Sequence, residues 1–418
     1  MIPEIHLPEV TGFAFPNDVH IIWSLMIVLY PYLTGIVAGA FIVSSLEHLF
    51  GRRELKPVTR LSLATSFAFL TFATLPLLNH LGHPERAFNI IFTPNFSSAM
   101  SGFGILYNTY MLILLLEIWF VWRRDIILLA RRSRGLKRQL YAVMALGTYD
   151  ISDEAMEKDR TAIRILSALG IPAACMLHGY VGFLFGAVKA NPWWSTPLMP
   201  IIFLTSGITS GIAMLIILYQ ASMKFKGLEI QQETIASLSR WLWLFMIITV
   251  TLELLEIIIL AYERAEEWEV INPLLTTKLA FSFISIQLII GSLVPFILLM
   301  VTVLMDRHLT ARVRNSLPFI ASLLLLIQVF AMRWNVVIGG QLISKSFRGF
   351  RSTYFPGLFE KEGILVAAAI FLMPFVVLFV FQKILPVFEP PARAAQAEPS
   401  LEAEDRKEFR PVLDSGGS

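Results

Sequence analysis

Along this chain the apolar positions gather into runs of roughly 20 to 30 residues, about the length a helix needs to cross a bilayer. The runs cover 20–49, 60–80, 101–122, 163–188, 198–222, 240–262, 277–304, 316–336 and 363–385. Each is read as one membrane-spanning helix. The expected fold class is all-α: a polytopic membrane protein of about nine transmembrane helices. An odd number of spans puts the two termini on opposite sides. With the amino terminus outside, the inner segments carry 25 of the 34 Lys and Arg residues and the outer segments 9. Basic residues are retained on the cytoplasmic side. This predicts a multi-pass membrane protein with its amino terminus outside and its carboxy terminus on the cytoplasmic side.

The arginines at 123–124 and 131–134 dominate the charge asymmetry and are read as anchors on anionic lipid. The segment 139–160 is polar and only partly amphipathic, which predicts an inner interfacial loop. A weak repeat relates Leu33-Thr34-Gly35-Ile36-Val37-Ala38-Gly39-Ala40 in the first span to Leu204–Ala213 in the fifth. Both are small-xxx-small faces of the kind that let membrane helices approach closely. The pattern predicts two parallel four-helix bundles, spans 1–4 and 5–8, with an extra C-terminal span. The divisions that follow are an outer segment 1–19, a first bundle 20–222 with an inner basic loop 123–162, the remainder of the second bundle 223–336, an outer loop and last span 337–385, and a disordered inner tail 386–418 rich in Pro, Ala and charge.

Composition agrees with this pattern. Of 418 residues, 56% are hydrophobic and 16% charged, with a mean hydropathy of +0.67. A water-soluble domain could not hide so much apolar surface. Met1–His20 carries no Lys or Arg, so the first apolar run is expected to be a retained span and not a cleaved signal. Cys175 is the single cysteine. That excludes an iron–sulfur cluster held by this chain, a CxxCH haem attachment and an intrachain disulfide.

Ionisable groups inside spans are costly and are therefore candidate sites. Glu253 and Glu256 lie three apart on one face of the sixth span. They are either a proton-passing carboxylate pair or structural partners of a polar neighbour or Arg. His178, inside the fourth span, can offer a hydrogen bond and a proton to a carbonyl, with Gly179 and Gly182 leaving room for a flat ring, or it can make a helix–helix hydrogen bond. Tyr30, Tyr32 and Tyr110 are interfacial anchors or ring donors. His80, His83 and Arg86 stand at the outer end of the second span. Arg333, in Met332-Arg333-Trp334-Asn335-Val336-Val337-Ile338-Gly339-Gly340-Gln341, either pairs with a span carboxylate such as Glu256 or snorkels at a polar rim. Seven histidines offer few pairs matched in depth across two helices, which argues against haem. No metal site is expected.

Leu81-Gly82-His83-Pro84-Glu85-Arg86, the following Pro94-Asn95 with Ser97 and Ser98, the Gly35xxxGly39 face and Asn191-Pro192-Trp193-Trp194 together resemble the NrfD/PsrC family, the membrane subunits of polysulfide reductase and its relatives. The resemblance covers about 20–385, and its Arg333–Gln341 segment is similar to the larger branch, which includes the integral membrane subunit of a menaquinone reductase (Qrc) complex. The resemblance implies a haem-free subunit that binds menaquinone near the outer face and docks a periplasmic iron–sulfur ferredoxin-like subunit. It also implies molybdopterin-like or multihaem cytochrome c subunits in the same complex, and proton uptake from the cytoplasm. Polysulfide-reductase-like members place an Asn and a His in span 1; Met26 and Tyr30 stand there instead. The expected catalytic residues are therefore His178, Glu253 and Glu256, with Tyr30, His83, Arg86, His178 and Arg333 as quinone contacts. Partners are membrane lipid and redox subunits, with no nucleic acid, and any catalysis needs those partner subunits. Two alternatives remain from the residues themselves: a proton channel or secondary transporter, and a haem b membrane anchor.

Overall fold

The computed structural model describes residues 20–388 except 265, 346 and 348. The expected outer segment 1–19 and the inner tail from 389 onward lie outside the described residues. Eight helices are long and apolar enough to cross a membrane. These are α1 (Leu25–His48), α2 (Arg53–His80), α4 (Asp153–Gly186), α5 (Met199–Lys226), α6 (Gln232–Glu263), α7 (Ala280–Leu304), α8 (Ala311–Leu342) and α9 (Ile364–Ile384). The remaining expected span falls in α3 (Ala99–Arg132), a 34-residue helix. No charged residue interrupts it between Ala99 and Leu116, but Glu117, Arg123, Arg124 and Asp125 follow within the same helix. All nine expected spans thus coincide with helices, most of them longer than the apolar run that announced them. The polar turns at their ends continue the backbone ladder past the apolar stretch.

α1 is apolar all round and buried along most of its length, as a helix at the centre of a bundle must be. Around it, α2, α4, α5, α8 and α9 are in contact. The outward faces of α6, α7 and α9 expose Leu255, Ile258, Phe281, Ile284, Leu372, Val376 and Phe379, an apolar girdle suited to lipid. The neighbour pattern is repeated between the halves. α1 packs on α2 and α4 as α5 packs on α6 and α8, α3 packs on α4 as α7 packs on α8, and the halves are joined by α1–α5, α1–α8 and α4–α5 contacts.

The two small-residue faces meet each other. A Cβ on Gly39 would lie 2.7 Å from the carbonyl oxygens of Gly207 and Ile208 and 2.8 Å from Gly211 Cα. A Cβ on Gly35 would lie 3.1 Å from Gly207 Cα. α1 and α5 therefore touch backbone to backbone, which only glycine at these positions permits.

One end of the bundle is basic. There Arg123 does not anchor on lipid: it is buried, with its Nε donating to Asp159 Oδ2 at 2.8 Å and its Nη1 to the Asp150 carbonyl at 2.9 Å. The bridge holds α3 against α4. Segment 139–160 is not a loop throughout, because helix Leu136–Met144 occupies its start and α4 begins at Asp153, capped by the Ser152 hydroxyl. Tyr141 explains the placement: it is buried and donates to the Ile384 carbonyl at 2.8 Å. Ser152 also donates its backbone N–H to the exposed Asp150 carboxylate, and with the Ser152 hydroxyl holds it below the ordinary carboxylate range.

The opposite end carries the polar hairpin 81–98. Ile90 seats it by filling the notch beside Gly104 on α3. The loop between α8 and α9 closes over the start of α1. Glu362 accepts from the Ser24 hydroxyl and lies 2.8 Å from His80 Nδ1, and Leu25 N–H donates to the Tyr354 hydroxyl at 3.1 Å. Burial, together with the charges of Glu362 and Glu360, pushes the Tyr354 phenol up.

Candidate functional site

Below the hairpin end, α4, α5, α6, α7 and α8 bring a set of polar side chains into the bundle interior. Arg333 is its centre and is fully buried. Its Nη2 donates to Ser206 Oγ at 2.8 Å, to His178 Nε2 at 3.1 Å and to the Phe203 carbonyl at 3.2 Å. The guanidinium carbon lies 3.7 Å from the centroid of the Phe203 ring, a cation–π contact in a water-poor setting. Because Arg can only donate, His178 Nε2 must accept, and the imidazole proton sits on Nδ1. Neither that Nδ1 nor Arg333 Nε has a hydrogen-bond partner, although both are buried.

His178 reaches this position through the glycine contact. A Cβ on Gly35 would lie 3.2 Å from its ring, and one on Gly207 would lie 2.6 Å from Nε2. The same two glycines that join α1 to α5 thus open the notch the imidazole fills. Of the two glycines beside it, a Cβ on Gly179 would meet only the Pro200 carbonyl, at an ordinary contact distance of 3.7 Å, while the space over Gly182 is taken by the Met199 and Pro200 backbone. Gly182 therefore serves helix packing and does not leave room for a ring.

A second row continues from Arg333 towards α6. Ser282 Oγ donates to Asn335 Oδ1 at 2.6 Å, and Asn335 Nδ2 donates to Gln287 Oε1 at 2.7 Å. Gln287 Nε2 donates to Glu253 Oε2 at 2.9 Å, and Gln328 Nε2 reaches the same oxygen at 3.2 Å. Glu253 is buried, and Arg333 lies within reach of its charge. Glu253 and Glu256 both line a cavity of about 30 Å³ together with Gln287, Met332 and Asn335, room for a single water. The anticipated pairing of Arg333 with Glu256 is not what forms. Arg333 bonds to α4 and α5 instead, and the carboxylate its charge reaches is Glu253.

The backbone here is unusual. Ala280–Leu293 and Asn335–Gly339 are π-helical, a form that recurs at functional positions. The wider turn carries Gln287 and Asn335 and loosens the carbonyl ladder of α8. The loop before α5 satisfies it: Trp193 Nε1 donates to the Asn335 carbonyl at 3.0 Å, Trp194 Nε1 to that of Val336 at 2.6 Å, and Asn191 Nδ2 to that of Gly340 at 2.8 Å. Trp23 stacks on Trp194 with centroids 5.0 Å apart. Gln341 pairs with both backbone groups of Trp23. The segment Arg333–Gln341 is therefore not an exposed rim. Apart from the partly buried Trp334 it is buried throughout, and the side chains of Arg333, Asn335 and Gln341 find partners inside the bundle, Arg333 Nε excepted.

His178, Glu253, Glu256 and Arg333 are thus brought together. Tyr30 is buried nearby, edge-on to Phe103 with centroids 5.8 Å apart, and within charge reach of Arg333. His83 and Arg86 are not brought there. They stand exposed on the hairpin, where His83 Nδ1 meets Glu85 at 3.0 Å. The sequence reasoning missed Ser206, Gln287 and Gln328, neutral side chains that carry no signal within an apolar run. It also missed Glu117, fully buried inside α3, which the rule applied to Glu253 could have found. Among the described residues, no group of three or more His, Cys, Asp or Glu side chains is arranged to hold a metal ion.

Fold and site together define a polytopic helical membrane protein with a buried Arg–His–Glu polar core near one end. Residues 15–345 match the family model described as "Polysulphide reductase, NrfD", and the chain belongs to that family. It is 30% identical over 341 residues to the C subunit of selenate reductase from Mesobacillus selenatarsenatis, covering 79% of this chain and 76% of that one. It is 24% identical over 373 residues to the Hdr-like menaquinol oxidoreductase integral membrane subunit of Archaeoglobus fulgidus, covering 85% and 83%. Over 196 residues it is 26% identical to the C chain of polysulfide reductase from Wolinella succinogenes, covering 46% of this chain and 56% of that protein.

Proposed function

We propose that this chain is the quinone-interacting membrane subunit of a respiratory oxidoreductase complex. The hairpin end faces the periplasm, where an iron–sulfur subunit of ferredoxin type docks. Electrons pass between that subunit and menaquinone held by the outer half of the bundle, and protons come from the cytoplasmic side. A molybdopterin-type or multihaem cytochrome c subunit is the remaining part of the complex. The names of the selenate, polysulfide and menaquinol relatives support this reading.

The observation that carries it is the pair of buried donors left without partners, Arg333 Nε and His178 Nδ1. Buried polar groups are nearly always satisfied, and two such donors on side chains bonded to one another suit a ligand that brings acceptors. A quinone supplies two carbonyl oxygens and, on reduction, takes up two electrons and two protons. Arg333 fixes the His178 tautomer so that Nδ1–H is the donor. Glu253 and Glu256, lining the same small cavity, give that polar row carboxylates able to take up and release a proton.

The test is His178→Ala in the complex purified from its native membrane. Proton donation by a positioned His contributes ~10²-fold or more. Quinone-linked electron transfer should fall by about that factor, while the partner subunits still co-purify. Undiminished quinone turnover in an intact complex would remove His178 from the mechanism.

A further inference from the structure

A second line of polar groups lies at the basic end, apart from the Arg333 core. Glu117, fully buried on α3, accepts from Ser167 Oγ at 2.7 Å. The same oxygen, Oε1, lies 3.0 Å from His48 Nδ1, and the other, Oε2, has no partner. His48 is 12% exposed, and its Nε2 is 3.4 Å from the carboxylate of Glu47, itself 23% exposed. Glu47 and His48 both line an open cavity of about 920 Å³ at the basic end, together with Arg53, Lys56, Arg60 and Arg160. That volume holds on the order of thirty waters. A carboxylate in the bundle interior is therefore joined to bulk water by two short steps.

The burial gradient runs one way: Glu47, then His48, then Glu117 with no exposure at all. A structural role leaves two features unexplained. A buried acid is costly within a membrane and is replaceable by an apolar residue of similar size. Moreover, its second oxygen is left bare, where a structural carboxylate would be fully bonded. A relay accounts for both. Imidazole accepts a proton at Nε2 from the water-facing side and releases the one on Nδ1 to the carboxylate, exchanging tautomers in the process. Seven residues along α3 towards the hairpin end, Tyr110 is buried on the same face and within reach of the Glu117 charge.

We propose that Glu117 is the proton-loading group of this subunit, filled from the aqueous space at the basic end through Glu47 and His48. The inference deepens the quinone reading and rests on it. The two electrons that reduce the quinone come from the iron–sulfur subunit, and the two protons that balance them enter from the opposite face by this route.

The experiment uses the purified complex in liposomes with a pH-sensitive dye in the compartment facing the basic end. Wild type should consume protons from that compartment during quinone reduction. Glu117→Gln should slow turnover ~10-fold or more and abolish that uptake, while binding of a soluble naphthoquinone, read by tryptophan quenching, stays unchanged. His48→Ala should show the same defect and recover with added imidazole, which a packing role would not produce. Wild-type turnover and same-side uptake in Glu117→Gln overturns the assignment. So does a His48→Ala complex that is fully active without imidazole. A wild type that fails to bind the naphthoquinone overturns the quinone reading itself, so the two failures are told apart.

Discussion

Arg333 is held by hydrogen bonds to α4 and α5, by the Phe203 ring, and by the charge of Glu253. These contacts make different demands on the side chain, and two substitutions separate them. Arg333→Lys keeps the charge but loses the planar fork and the stacking. It should lower stability by about 1–3 kcal/mol. Arg333→Met removes the charge and every donor, so His178 Nε2, Ser206 Oγ and the Phe203 carbonyl all lose that partner, at about 1–3 kcal/mol for each buried group left unmet. Thermal unfolding in detergent should therefore rank wild type above Lys and Lys above Met. A Met variant as stable as the Lys variant would show that these three hydrogen bonds do not contribute to holding α8 against α4 and α5. At this scale the sequence was half legible. A charge inside an apolar run stands out, so His178, Glu253, Glu256 and Arg333 could be picked from the sequence alone. Their partners could not, because Ser206, Gln287 and Gln328 look like any polar residue in a helix, and only the fold reveals that they face inward. Glu256 was offered as an example of a span carboxylate for Arg333, whereas helix rotation decides which side chains come within reach.

Between elements, the decisive contact is α1 against α5. Where glycines face glycines, an added methyl must displace backbone, and overpacking of this kind costs about 1–3 kcal/mol. Gly39→Ala should accordingly lower the unfolding temperature, since its Cβ would sit 2.7 Å from two carbonyl oxygens of α5. Gly179→Ala is the control. Its nearest neighbour would be 3.7 Å away, and its stability should stay within about 0.5 kcal/mol of wild type. Equal effects of the two would mean that α1 and α5 do not meet at this face. Hydropathy made the helices legible because the bilayer demands long apolar stretches, and the repeated small-residue motif marked the two faces that pair. It did not say that they pair with one another. Nor did it reveal the π-helical turns at Gln287 and Asn335, the second of which gives its carbonyls to indole donors from a distant loop. Arg123 was misplaced for a similar reason: a charge next to an apolar run reads as a lipid anchor, while its buried partner Asp159 lies 36 positions away.

Across the whole molecule, the two ends differ in charge and in chemistry. The basic end holds the large open cavity, Arg53, Lys56, Arg60 and Arg160, and the Glu47–His48–Glu117 line. The hairpin end holds the Arg333 core, the aromatic cluster of Trp23 and Trp194, and exposed Phe88, Phe92 and Phe96. Protons loaded at one end and electrons delivered at the other would make quinone reduction charge-separating, but only if the ends lie on opposite sides of the membrane in the sense the basic residues dictate. Orientation is thus the premise on which both functional proposals stand, and it can be measured without any activity. In a Cys175→Ser background, Arg86→Cys places a thiol on the exposed hairpin and Lys137→Cys places one on the exposed face of the helix at the basic end. A membrane-impermeant maleimide added to intact cells should label the first and spare the second, and inside-out vesicles should reverse the pattern. If intact cells instead labelled position 137, the hairpin would face the cytoplasm. An iron–sulfur partner would then have to dock from that side, and protons entering through His48 would come from the periplasm.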